Sequence, residues 1–102
     1  MKEIKWLAQT IEAELEDAEK YAKAAHQYRD TDKELSRACA SIAEEEINHA
    51  MKLHKEAERI IKNYRAEGHE APESMKAIWD WEHEKMVDHI ARIRHMLAML
   101  NA

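Results

Sequence analysis

Gly68 and Pro72 are the only glycine and the only proline in the 102 residues. A sheet needs a tight turn every few residues, and such turns rely on glycine and proline for their special backbone angles. A chain this poor in both has to be built from long segments that satisfy their own backbone groups, which means helices. The remaining composition agrees. Charged residues make up 36% of the chain, and the strong helix formers Ala, Glu, Lys and Leu dominate it.

Two points divide the chain. In Arg29-Asp30-Thr31-Asp32-Lys33-Glu34, Thr31 and Glu34 have the spacing of a capping box at a helix start. In Glu67-Gly68-His69-Glu70-Ala71-Pro72, Gly68 suits the left-handed residue that ends a helix, and Pro72 suits the first turn of the next. The expected fold is all-α: a three-helix antiparallel bundle, with helices at roughly 3–29, 32–67 and 72–100 in a single domain over 1–102. So short a bundle has a limited core, and oligomerisation is a natural way to bury more apolar area.

Several function classes recede at this stage. The formal net charge is −5 with both signs interspersed and no basic stripe, which argues against nucleic acid as a partner. The single cysteine, Cys39, excludes an intrachain disulfide framework and a cysteine-rich metal site. The opening twenty residues hold no uninterrupted apolar run, so neither a signal peptide nor a membrane span is expected there. A reducing cytoplasm is the expected compartment. The seven histidines are many for this length.

Helical spacing of three and four picks out Ile4, Leu7, Ile11, Glu14, Ala18, Tyr21, Ala25 and Tyr28 in the first helix. The second carries Leu35, Cys39, Ile42, Glu46, His49, Leu53, Glu56 and Ile60, beside another stripe of Ala40, Ala43, Ile47, Ala50, His54, Ala57 and Ile61. Two apolar faces suggest burial on both sides, by the bundle or by another subunit. The third carries Trp79, His83, Met86, Ile90, Ile93, Leu97 and Leu100.

Polar residues interrupt these stripes at chosen places. Glu14 lies about sixteen residues before the first hairpin's centre and Glu46 about fifteen after it, so the two should stand at one height. His49 follows Glu46 by three, which puts both on one helix face. Within the acidic run Glu44-Glu45-Glu46, phase sends Glu44 to solvent, Glu45 to a flank and Glu46 inward. Buried carboxylates side by side repel and must be neutralised. A divalent cation does so, and oxygen and imidazole donors suit iron, manganese or zinc. The alternative is a Glu–His hydrogen-bonded pair buried for specificity.

These motifs carry a family resemblance. Glu14-Leu15-Glu16-Asp17-Ala18-Glu19-Lys20-Tyr21, followed by Glu45-Glu46-Ile47-Asn48-His49, resembles the ferritin-like superfamily, and within it the short rubrerythrin-like and encapsulated-ferritin-type proteins. Those families set a ligand Glu seven residues before a Tyr, as Glu14 and Tyr21 stand here, and a Glu-x-x-His on the next helix, as in Glu46 and His49. The match covers about the first two thirds of the chain. It implies a ferritin-like bundle with a di-iron site and ferroxidase or related oxygen or peroxide chemistry. A full ferritin-like bundle has four helices and two Glu-x-x-His motifs, whereas this chain has three helices and one motif. The resemblance therefore implies a half-site, completed by a homodimer or higher homo-oligomer, and a place as cargo of an encapsulating shell.

Other residues are weighed beside these. Asp88 is the third-helix residue at the right height to be a ligand or the hydrogen-bond partner of one. His83 should lie opposite Glu56, and the two are expected to form a structural hydrogen-bonded pair rather than a second metal site. Tyr21 is expected in the core with its hydroxyl in reach of a ligand carboxylate. His26, His54, His69, His89 and His95 are expected at the surface or at interfaces. Trp79 and Trp81 should point to different faces, one of them towards a subunit contact. The function expected is di-metal binding, with ferroxidase-type turnover left open. The alternatives are a non-catalytic helical interaction module and a zinc-stabilised structural dimer.

Overall fold

The computed structural model describes residues 2–70 and 72–101, and of residues 74 and 75 only the backbone. Three helices account for almost all of them: α1 over Lys2–Tyr28, α2 over Lys33–Ala66 and α3 over Glu73–Ala98. The last runs into a 3-10 turn at Met99–Asn101. There is no strand among the described residues. None of the helices is long and apolar enough to cross a membrane. The bundle is a rod of 57 × 18 × 17 Å.

The ends of the helices follow local chemistry. Asp32, rather than Thr31, caps α2: its Oδ1 accepts the Leu35 N–H at 3.0 Å. The capping box at Thr31 is thus corrected. Asp32 is among the preferred cap residues and brings an acidic side chain to the positive end of the helix. Replacing Asp32 with alanine is expected to cost about 1 kcal/mol, read from urea unfolding. Gly68 takes a φ of +85°, where a side chain would strain the backbone. The Gly68 and His69 N–H groups then close the end of α2 on the carbonyls of Arg65 and Tyr64. Pro72 stands just before α3, one place earlier than expected.

Alanine decides how the helices pack. Ala18, Ala22 and Ala25 of α1 and Ala43, Ala50 and Ala57 of α2 are fully buried. With no side chain beyond Cβ, α1 and α2 come together as the closest pair in the bundle. α3 lies farther out, because Met86, Ile90, Ile93 and Leu97 fill the gap towards Leu15 and Ile47. A second small core at the other end joins Ile4, Leu7 and Ala57, with Trp79 packed against it.

This packing revises the expected seams. The buried residues of α1 run Ile4, Leu7, Ile11, Leu15, Ala18, Ala22 and Ala25, so Leu15 and Ala22 replace Glu14 and Tyr21 on the core side. On α2 the second stripe, Ala43, Ile47, Ala50 and Ala57, forms the core. The stripe through Glu46 and His49 flanks it, along the side of the α1–α2 groove that α3 does not cover.

Candidate metal centre

Glu14, Glu46 and His49 meet on that open side. Each offers one ligand atom, and the three atoms lie within 4.8 Å of one another. His49 turns its Nδ1 to the acids, 3.5 Å from Glu14 Oε2 and 3.9 Å from Glu46 Oε1. The side chains of Glu14 and Glu46 are only 26% and 19% exposed, whereas His49 is 54% exposed. The cluster is therefore walled by the bundle at the carboxylates and open to solvent at the imidazole. It follows from two local facts: the matched heights of Glu14 and Glu46 across a tight hairpin, and the one-turn offset of His49.

Electrostatics set this cluster apart from the ordinary ion pairs of the surface. The Glu46 carboxyl is pushed up to about 7. The hydrogen bond it shares with Glu14 is the main cause, followed by burial and by the Glu14 charge, with His49 pulling the other way. A carboxyl held protonated near neutrality by a second acid marks a site short of positive charge. Glu19 shows the opposite case. Burial pushes it up, but Lys23, Arg92 and His89 more than offset this and leave it below the usual range. It is a structural ion cluster, with Arg92 Nε donating to Glu19 Oε1 at 3.2 Å between α3 and α1.

The shift at Glu46 has a direction in pH. Its value in the folded chain lies above that of an unfolded glutamate. The stabilisation it contributes to the metal-free protein is therefore full below about pH 4.5 and fades as pH rises through 7. A bound cation displaces the shared proton. Metal uptake near neutral pH is thus expected to release protons from the Glu46 carboxyl, and fewer as pH rises. Calorimetry in two buffers of different ionisation enthalpy measures this release.

Chain comparisons add nothing to this geometry: no protein-family model, no curated protein and no solved structure matches the chain.

The other residues singled out by sequence lie elsewhere. Asp88 is exposed on α3 and is not part of the cluster. Its neighbours His89 and Arg92 turn to Glu19 on the α3 side of α1, so α3 supplies no ligand to this group among the described residues. The expected Glu56–His83 pair does not form. Glu56 is held by Arg59, whose Nη2 donates to it at 2.7 Å one turn along the same helix. His83 stacks instead on His54 with ring centroids 4.8 Å apart. Tyr21 is half-buried against the core, with Lys20 Nζ 5.5 Å from its ring centre, and has no hydrogen bond to the cluster among the described residues.

Of the histidines expected at the surface or at interfaces, His54 and His89 are half-buried between helices of the bundle. His54, 13% exposed, is sandwiched between Trp79 at 5.5 Å and His83, and its Nε2 meets Glu58. His89 fills the α1–α3 seam beside Glu19. His54 had one signal in the sequence, its position on the alanine stripe that became the core. His26 reaches the Met96 carbonyl, and His69 stacks on Tyr64. Trp79 and Trp81 do diverge: Trp79 packs inward, while Trp81 is 58% exposed under Lys85.

Proposed function

We propose that this chain is a ferritin-like di-metal protein whose Glu14, Glu46 and His49 form half of an iron site, completed by the same residues of a second copy. The observation that carries the reading is the convergence of two half-buried carboxylates and an imidazole, with no Lys or Arg nitrogen within 4.0 Å of either carboxylate among the described residues. The donor set fits a hard or borderline divalent ion, with Glu46 giving up its shared proton as the ion enters.

The need for a second copy follows from the coordination. Three donor residues on one open face leave a cation partly solvated. Two clusters related by a two-fold axis would bring four carboxylates and two imidazoles to a pair of ions. The face around the cluster suits such a contact. A cleft of about 490 Å³ between α1 and α2 is lined by Trp6, Leu7, Leu53 and Ile60 together with the charged Lys2, Glu3 and Glu56, and Trp6 is 59% exposed. Ile42 continues the apolar strip on the other side of Glu46. Burying this strip would also give a thin three-helix rod a second core.

Iron held there would supply the electron transfer to dioxygen or peroxide, which is the chemistry of a ferroxidase. The chain's part is to hold the ions with Glu14, Glu46 and His49 and to close the site off from water across the dimer. A larger protein compartment enclosing the dimer completes the reading as iron cargo, since a rod of this size forms no storage shell of the usual ferritin kind. Anaerobic addition of Fe(II) followed by air tests it: the expected result is stoichiometric binding, then growth of the ultraviolet absorption of ferric iron. Fe(II) oxidation no faster than in buffer alone rejects the ferroxidase.

A second reading keeps the metal and drops the turnover. The same carboxylate and imidazole donors accept zinc, which would staple a structural dimer without redox chemistry. Binding of zinc with no ferrous oxidation selects this reading.

A further inference from the structure

A second cleft lies away from the metal cluster. It measures about 610 Å³ and lies between the start of α2 and the end of α3, two helices that do not approach each other closely. That volume falls within the ordinary range of small-molecule sites. Its two walls differ in character. Arg29, Lys33 and Arg37 line one wall, and Leu97 of α3 and Leu100 of the 3-10 turn line the other, with Ala40 also bordering the cleft.

The cations there have few acids to answer them. Arg29 faces Asp30 at 3.7 Å. Among the described residues no carboxylate lies within 4.0 Å of Lys33 or Arg37. Glu44, the other acid of the lining, stands two turns beyond Arg37, about 10 Å farther along α2. The protein as a whole carries a net charge of −5, so a positive wall at this cleft runs against the general charge. Ser36 adds no free hydroxyl, because its Oγ donates to the Ala25 carbonyl at 2.6 Å.

From this cleft we infer a second binding site, for a small amphiphilic anion: a single carboxylate on a short alkyl chain. The head group sits between Lys33 and Arg37, where a carboxylate accepts charge-assisted hydrogen bonds. The alkyl chain lies along the partly buried Leu100, beside the core residue Leu97, and removes the apolar surface of Leu100 from water. Neither half suffices alone. Exposed cations hold a bare anion weakly, and a half-open apolar wall has little grip on a neutral chain.

The test is a titration of the full-length, isotopically labelled chain with decanoate below its micelle concentration, followed by amide chemical shifts. Saturable shifts confined to the start of α2 and the end of α3 are expected. Acetate and decanol are each expected to bind roughly tenfold more weakly. Charge reversal by Lys33→Glu with Arg37→Glu should weaken decanoate by at least about tenfold. An acid at Lys33 sits in the first turn of α2, where it favours the helix, so the variant is expected to fold. Leu100→Ser checks the apolar wall and should weaken decanoate but not acetate. The inference is overturned by an absence of saturable shifts, by equal binding of decanol or of acetate, by unchanged binding in the charge-reversed variant, or by shifts centred on Trp6 and Leu53 instead.

Discussion

Glu46→Ala is expected to abolish metal uptake, lowering affinity by more than about a hundredfold, while leaving helix content unchanged. Loss of a residue that merely orients a ligand costs roughly 10- to 100-fold in metal affinity, and loss of a ligand itself should exceed that. Glu46→Gln separates the metal site from a buried structural pair. In the metal-free chain at pH 8 the Glu46 and Glu14 carboxylates repel, and a neutral amide at Glu46 relieves this. The Gln variant should therefore be more stable than the parent at pH 8, by on the order of 1 kcal/mol, because water on the open side screens much of the repulsion. At pH 4.5 the gain should vanish, since Glu46 then carries its own proton. Thermal melts at the two pH values, beside a metal titration, read both effects. A Glu46–His49 pair kept only for structure would show the reverse, with the Gln variant destabilised at pH 8.

Trp6→Glu is expected to leave the chain monomeric and to weaken metal binding through the lost partner, although Trp6 itself is no ligand. Trp6 is mostly exposed and lies on α1 about two turns from Glu14, so its replacement should cost the monomer little. In a dimer across the open α1–α2 face it would be buried, and an acid there would have to be desolvated beside Glu3 and Glu56, which line the same cleft with Lys2. Sedimentation equilibrium should show a shift from dimer to monomer, with metal affinity falling at least about tenfold as the facing ligands are lost. A Trp6→Glu protein that keeps both its dimer and its affinity places the subunit contact elsewhere.

The sequence carried most of the architecture because the features that encode it are local. Helix ends followed from Gly68, Pro72 and the polar run before Lys33, and they lie within a residue or two of the expected places. The meeting of Glu14, Glu46 and His49 was legible because it depends only on helical rise and hairpin length. Which side of the stripe was core was not legible. Ile4, Leu7, Ile11, Ala18 and Ala25 belong equally to a stripe through Glu14 and Tyr21 and to one through Leu15 and Ala22, and α3 chooses the second. That choice rests on how Met86, Ile90 and Ile93 fill the space beside paired alanines, which is a matter of packing volume rather than of periodicity. The same step moved His49 from the core to an open face. It also half-buried His54 and His89, two histidines whose partners, Trp79 and Glu19, are on other helices.

Glu14, Glu46 and His49 are proposed to bind metal as half of a site shared by two copies. Native mass spectrometry of the chain loaded anaerobically with Fe(II) tests it in one step, because it reports subunit and metal counts of the same particle. Dimers, or assemblies of dimers, that carry two irons per pair of chains are expected, with the iron lost in Glu46→Ala. A metal-free monomer in excess Fe(II), or iron retained by Glu46→Ala, would contradict it.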